Sequence, residues 1–394
     1  MLCMSLFYGW CLSASDLSNT PGVRYCVITK QIKNRTAEVG QRIPVTLGNI
    51  APLALKPFRP GQMALVCEGG GQRGIFTAGV LDEFMRAQFN PFDLYLGTSA
   101  GAQNLSAYVC HQPGYARKVI MRYTISREFF DPLRFVRGGN LIDLDWLLEA
   151  TASQMPLAMD TASRLFDTGK AFWMCACRGD DYSASYFSPQ KENWLDILRA
   201  SSAIPGFYRT GAALDGIAYL DGGVSDAIPV QEAARRGAQT IVLIRTVPSQ
   251  MYYTPQWFKR MERWLGTSSL QPMLNLVSHH EASYHTIQRF IEKPPGKLRI
   301  FEIYPPRPLN SMALGSRVPA LRDDYKTGRL CGRYFLATVG KLLAERPPLR
   351  RHQHIIAPAP VVVPPASVAN DAVTTPLVMA PEANDTLFDN EDLA

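Results

Sequence analysis

Between Met63 and Val109 the chain twice runs through an apolar stretch, a glycine-rich turn and a segment of helical periodicity. Met63-Ala-Leu-Val-Cys67 predicts a buried strand, followed by Glu68-Gly-Gly-Gly-Gln-Arg-Gly74 and a helix from Ile75 to about Ala87. Phe92-Asp-Leu-Tyr-Leu96 predicts a second strand, entering Gly97-Thr-Ser-Ala-Gly101 and another helix through Val109. Parallel strands need helical crossovers, so two strand–turn–helix units in close succession predict an α/β fold around a central, largely parallel sheet.

Later segments extend this layer. Asp143 to Thr151, Trp194 to Ala200 and Gln231 to Arg236 read as helices, while Ala171 to Cys177 and Thr240 to Ile244 read as strands. Leu276 to Glu292 and Asp323 to Glu345 predict longer amphipathic helices, separated by a strand over Leu298 to Tyr304. The expected organisation is an N-terminal arm (1–60), one catalytic α/β core (61–250), a mostly helical C-terminal addition (251–350) and a Pro- and Ala-rich acidic tail (351–394) that is extended or disordered.

Composition narrows the function classes. At 46% hydrophobic and 19% charged residues, the 394-residue chain is neither collagen-like nor wholly disordered. Its charge-free apolar stretches fall short of the roughly 20 residues needed to cross a bilayer. The first fourteen residues are apolar but lack a basic flank, so an arm is favoured over an export signal, and a cytoplasmic protein, peripheral to the membrane at most, is expected. Eight cysteines are too sparse for a disulfide-built domain and fit a reducing compartment; Cys175 and Cys177 share one strand face and read as packing residues. The net charge of +7 is uneven: residues 352 to 394 hold six acids and no Lys or Arg, leaving a basic remainder that is either a diffuse positive surface or one that draws in anionic lipid headgroups, nucleic acid or another acidic partner. No zinc-finger or RNA-binding motif points to specific nucleic-acid binding.

The chemistry concentrates in three short segments. Gly97-Thr-Ser99-Ala-Gly101 is a G-x-S-x-G pattern between a strand and a helix, the context that presents a serine on a tight nucleophile elbow. The loop Gly69-Gly70-Gly71-Gln72-Arg73-Gly74 offers closely spaced backbone N–H donors for an oxyanion, around Gly70 and Gly71 with Gln72 and Arg73 beside them. Asp221-Gly222-Gly223 follows another apolar run and brings a carboxylate able to take the serine proton. Two other readings of these residues stay open. Gly69, Gly71 and Gly74 satisfy a dinucleotide-binding pattern, with Asp93 at the spacing of a ribose-binding acid, which would make the chain an oxidoreductase. A Ser-His-acid triad would need one of six histidines, none in an obvious active-site turn; His279, His280 and His285 lie in a helical stretch.

These segments together resemble the patatin-like phospholipase family, in particular its compact bacterial members. The glycine loop, the serine elbow, the Asp-Gly-Gly motif and the intervening Ala200-Ser-Ser-Ala-Ile-Pro205 match the family's pattern over roughly residues 62 to 250. The resemblance implies a three-layer α/β fold, a Ser99–Asp221 catalytic dyad, an oxyanion hole in the Gly70–Arg73 loop, and hydrolysis of lipid carboxyl esters with neither metal nor organic cofactor. A lipid or fatty-acyl ester is the implied partner. A basic lipid-binding scaffold without turnover is the competing, non-enzymatic expectation.

Overall fold

The computed structural model describes residues 40–45, 47, 58–249 and 271–344. The strands are β1 (Gln41–Pro44), β2 (Met63–Cys67), β3 (Leu94–Thr98), β4 (Ala171–Arg178), β5 (Ala184–Phe187), β6 (Ala212–Leu214), β7 (Ile217–Asp221), β8 (Thr240–Ile244) and β9 (Arg299–Ile303). The helices that matter here are α1 (Gly74–Arg86), α2 (Ala100–Val109), α3 (Leu144–Gln154), α4 (Trp194–Ser202), α5 (Val230–Arg235), α6 (Gln271–Glu292) and α7 (Val318–Phe335).

One sheet runs in the order β1-β9-β8-β2-β3-β4-β7-β6, with β5 added beside β4. Pairs from β1 through β4 are parallel, and β5, β6 and β7 pair antiparallel. The wholly apolar strands are explained by burial on both faces. In β2, Met63, Leu65 and Cys67 enter one core while Ala64 and Val66 enter the other; β8 divides the same way, Val242 and Ile244 against Ile241 and Leu243. The first core is closed by α1, α2 and α7 through Phe76, Phe84, Leu105 and Phe335. The second is closed by α5 and α6 through Val230, Ala233, Ile287 and Ile291. The result is the three-layer α/β architecture.

The structure draws the boundaries differently from the sequence pattern. Gln41–Pro44, inside the presumed arm, is the edge strand, and it pairs with β9 from the presumed helical addition. β9 lies between β1 and β8, so residues 271–344 give the sheet a strand and give each face a helix. Sequence pattern alone does not show this, because which apolar strands pair is decided by long-range packing that leaves no local signature. Helix α7 lies against α1 with glycines at the contact: a Cβ at Gly328 would run into the Phe76 carbonyl, and one at Gly332 would sit 3.0 Å from the Val80 carbonyl. The expected arm before residue 40 and the tail after 350 lie outside the described residues. Among the described residues no helix is long and apolar enough to cross a membrane.

Candidate active site

Strand register brings the three motifs together. Thr98 is level with Cys175 on β4, and the next residue of β4, Ala176, is level with Asp221 on β7. Ser99, one step beyond Thr98, therefore stands across β4 from Asp221. Strand β2 ends beside β3 with Cys67 level with Gly97, which carries the glycine loop to the same end of the sheet.

Ser99 occupies the turn between β3 and α2 with φ 52° and ψ −121°. A non-glycine residue seldom adopts this region, and such strain persists only where the surroundings over-determine it. The surroundings do so here. A Cβ at Gly97 would lie 2.7 Å from the Ala102 nitrogen, and one at Gly101 would collide with the Cys67 carbonyl, so both glycines permit the tight passage from strand to helix. The Ser99 N–H donates to Ser201 Oγ at 2.9 Å, and Ser201 donates to the Cys175 carbonyl at 2.5 Å. The Ser99 side chain is buried at the first turn of α2, where the helix dipole favours negative charge.

Asp221 closes β7. Its N–H donates to the Ala203 carbonyl at 2.8 Å, and its Oδ1 accepts the Gly223 N–H at 2.7 Å. Gly222 packs so tightly on the Cys175 carbonyl that a side chain would not fit. Burial raises the Asp221 carboxyl to about 6, while hydrogen bonds from the Ser99 hydroxyl and the Gly223 N–H pull the other way. The segment Ser201–Ala203 thus ties the serine turn to the aspartate turn. Neighbouring Asp226 is raised by burial to about 7 and accepts the Tyr186 hydroxyl at 2.5 Å. Cys177 is raised to about 12, also by burial, consistent with a packing thiol.

In the glycine loop the backbone donors divide into engaged and available. Gly69 N–H donates to the Ala227 carbonyl at 3.1 Å, Gln72 N–H to the Ala313 carbonyl at 2.8 Å and Arg73 N–H to the Gly70 carbonyl at 3.2 Å. Gly70 and Gly71 N–H have no acceptor among the described residues. The backbone N–H groups of Gln72 and Arg73 are thus engaged within the protein. The Gln72 side chain is a strut: Nε2 donates to the Thr124 carbonyl at 3.0 Å, and Oε1 accepts Ser316 N–H at 2.8 Å. The Arg73 guanidinium lies over Gly70. Gly74 opens α1, and its carbonyl accepts from Asn104 at 3.1 Å.

Two cavities meet at Ser99. The first, about 880 Å³ including space open to solvent, is lined by Gly71, Ser99 and apolar side chains such as Ile120, Phe129, Leu144, Leu147 and Leu198. The second, about 940 Å³ on the same measure, holds Ser99 and Asp221 together with Gly70, Gly71, Arg73 and His280.

The other readings fare differently. Asp93 sits at the start of β3, where its Oδ2 accepts the Met63 N–H at 2.8 Å. It is at the opposite end of the strands from the glycine loop, so it is out of place for a ribose held there, and the dinucleotide reading fails. Among the histidines, His279 faces the Tyr182 ring and His280 enters the second cavity, with Nδ1 2.6 Å from the Gly223 carbonyl. The presence of His280 at the site was not visible in a helix-periodic segment. Ser201 was legible only as part of the Ala200–Pro205 pattern, with no signal of its bond to the Ser99 backbone.

The glycine loop, the strained serine turn and the aspartate turn lie at one end of a three-layer sheet, and the chain belongs to the patatin-like phospholipase family, whose model matches residues 65–234. A second family model, a domain of unknown function (DUF6363), matches residues 270–344. The chain is 78% identical over 357 residues, 90% of its length and 100% of the relative's, to the uncharacterized protein YjjU of Escherichia coli (strain K12). Among solved structures it is similar to VipD from Legionella pneumophila (TM-score 0.38, 13% identity, 72% of this chain and 67% of that one). It is also similar to human GIVD cytosolic phospholipase A2 in complex with a methyl γ-linolenyl fluorophosphonate inhibitor (TM-score 0.39, 10% identity, 72% of this chain and 59% of that one).

Proposed function

We propose that the chain is a serine-dependent lipid acyl hydrolase working through Ser99 and Asp221. The observation that carries this reading is a strained, buried serine set across β4 from a buried carboxylate, at the junction of two largely apolar cavities. Asp221 takes the hydroxyl proton as Ser99 Oγ attacks the ester carbonyl. The resulting oxyanion is met by the N–H groups of Gly70 and Gly71, with the α2 dipole adding positive potential. Collapse expels the alcohol, which leaves with the proton from Asp221, and the acyl group stays on Ser99. Water then attacks the acyl-enzyme, giving its proton to Asp221, and the fatty acid is released as Ser99 recovers the proton. The acyl chain occupies the apolar first cavity. An aspartate raised to about 6 is better matched than an ordinary carboxylate to exchange a proton with serine near neutral pH.

An alkyl fluorophosphonate tests the assignment. Intact-protein and peptide mass measurement is expected to find one adduct, on Ser99, and Ser99→Ala is expected to lose labelling and fatty-acid release while keeping its circular dichroism. Labelling at Ser201 or Ser202 would reject the nucleophile. Vesicle binding with no release of fatty acid from any ester would favour the lipid-binding scaffold.

A further inference from the structure

The second cavity is built by both matched segments. One side comes from the glycine loop, Ser99 and Asp221; the facing side comes from Leu276, Val277 and His280 on α6 and from Ala313 and Leu314 in the loop before α7. The same loop holds Gln72 from both its backbone and its side chain, through the Ala313 carbonyl and the Ser316 N–H. The two carboxylates on this cavity are hydrogen-bonded to the protein. Glu68 accepts from the Thr246 N–H at 2.6 Å and the Tyr284 hydroxyl at 2.8 Å, and Asp221 accepts from the Gly223 N–H at 2.7 Å. Glu68 is balanced by Arg245 at 3.8 Å, and much of the remaining lining is apolar, including Ile204, Pro205, Phe207, Leu276, Val277 and Leu314. What remains for a ligand is mainly hydrocarbon surface.

We propose that this cavity is a subsite for a second hydrocarbon arm, carried on the alcohol side of the scissile ester, and that residues 270–344 are the segment that selects for it. This rests on Ser99 being the nucleophile with the acyl chain in the first cavity. The substrate class is then a lipid with two chains, one on each side of Ser99. Each methylene buried in such a subsite contributes about 0.8 kcal/mol, roughly fourfold, so a few suffice for strong selection.

The test compares kcat/KM for a diacyl lipid and for the methyl ester of the same fatty acid in the same mixed micelles. The wild-type ratio is expected to favour the two-chain lipid by at least about tenfold. Val277→Trp, which fills the second cavity, is expected to lower that ratio by about tenfold, whereas Leu147→Trp, which fills the first, lowers both rates and leaves the ratio within about twofold. Fluorophosphonate labelling of Ser99 in each variant verifies that the site is assembled. An unchanged ratio in Val277→Trp, or a wild-type ratio near one, would overturn the subsite. Hydrolysis of neither ester by wild type would instead reject the hydrolase reading beneath it.

A separate observation concerns the outer surface. Four of the five large hydrophobic side chains exposed among the described residues, Ile125, Leu133, Val136 and Met312, lie in two segments that border the first cavity through Thr124, Phe129 and Leu314. Phe130 and Met312 both lie within 4.0 Å of the position a Cβ would take on Gly315. Ile125 follows Thr124, which is joined to Ser316 through Gln72. Phe129 and Leu314, in the same two segments, line the cavity itself. Arg122, Arg127, Arg137, Arg209 and Arg317 are exposed in these and the adjoining segment, against exposed Glu128. We infer that these segments form a docking surface for a bilayer carrying anionic lipids: the apolar side chains enter the interface, and the arginines meet the headgroups.

Flotation with phosphatidylcholine vesicles, with and without phosphatidylglycerol, tests it. Wild type is expected to prefer the anionic vesicles and to release them as salt rises. The double variant Leu133→Asp with Val136→Asp is expected to bind at least about tenfold more weakly, and Leu330→Asp, at the fifth exposed hydrophobic, to bind as wild type. Thermal unfolding verifies that each variant is folded. Undiminished binding by the double variant would overturn the surface, as would equal binding to neutral vesicles. Self-association without vesicle binding, lost in the double variant, would overturn it in favour of a protein interface.

Discussion

Asp221 is buried at a cost that its proposed chemistry requires. Its carboxyl holds a proton more tightly in the folded protein, to about 6, than at the ordinary value of 3.8. The stability this represents is therefore present below the unfolded value and is lost as pH rises through about 6. Asp221→Asn keeps an oxygen for the Gly223 N–H and removes the buried charge. It is expected to unfold about 1–3 kcal/mol harder than wild type at about pH 8, with the difference vanishing towards about pH 4, as urea titrations at several pH values would measure. The same variant is expected to lose on the order of 10²–10⁴ in turnover, because an amide cannot take the serine proton. Wild-type kcat/KM is expected to fall as pH drops through about 6. Gly71 makes a second residue-scale case. Its φ is +58°, and a Cβ there would be driven into the Ala313 carbonyl. Gly71→Ala is expected to lower turnover by on the order of 10²–10³, read with a soluble ester, since it displaces a proposed oxyanion donor.

Among elements, the contact of α1 with α7 governs how the glycine loop is held. Helix α1 begins where the loop ends, and α7 lies close along it because Gly328 and Gly332 remove side chains from the contact. Tyr325 donates to Asp82 at 2.6 Å, and Arg329 pairs with Glu83, so the two helices are also joined by polar bonds. Gly328 is helical and unstrained, so an added methyl acts by steric conflict with the Phe76 carbonyl alone. Gly328→Ala is expected to destabilise by about 1–3 kcal/mol, as a lowered urea midpoint with unchanged slope. The periodicity of α7 was readable from its sequence; that these glycines meet α1 was not, because a glycine in a helix looks the same whether it faces solvent or another backbone.

For the whole molecule, a buried ionic cluster links the regions that the sequence pattern separated. Arg245, after β8, pairs with Glu302 of β9 at 2.9 Å, lies 3.8 Å from Glu68 in the glycine loop and donates to Tyr284 of α6 at 2.7 Å. Arg42 of β1 pairs with Glu302 at 2.7 Å. Two guanidinium groups and two carboxylates balance, which is what makes their burial tolerable. Arg245→Met leaves Glu68 and Glu302 short of a cation and is expected to cost about 3–5 kcal/mol, seen as a large fall in Tm.

Much of this protein is written locally. The β2, β3, β4, β8 and β9 strands and the helices after them follow from apolar runs and glycine turns, whose geometry depends on residues a few positions apart. Gly97-Thr-Ser-Ala-Gly101 likewise carries its own turn, because the close packing of Gly97 and Gly101 is set within the motif and its neighbouring strand. The strand order, the edge position of Gln41–Pro44 and the joining of residues 271–344 to the sheet were decided only in three dimensions. So were the bond from Ser201 to the Ser99 backbone, the Gln72 strut and the entry of His280 into the second cavity. Apolar strands are interchangeable to any rule that reads only their sequence. Which of them become neighbours depends on burying every face at once, and the register that sets Asp221 level with Ala176 exists only after that choice is made.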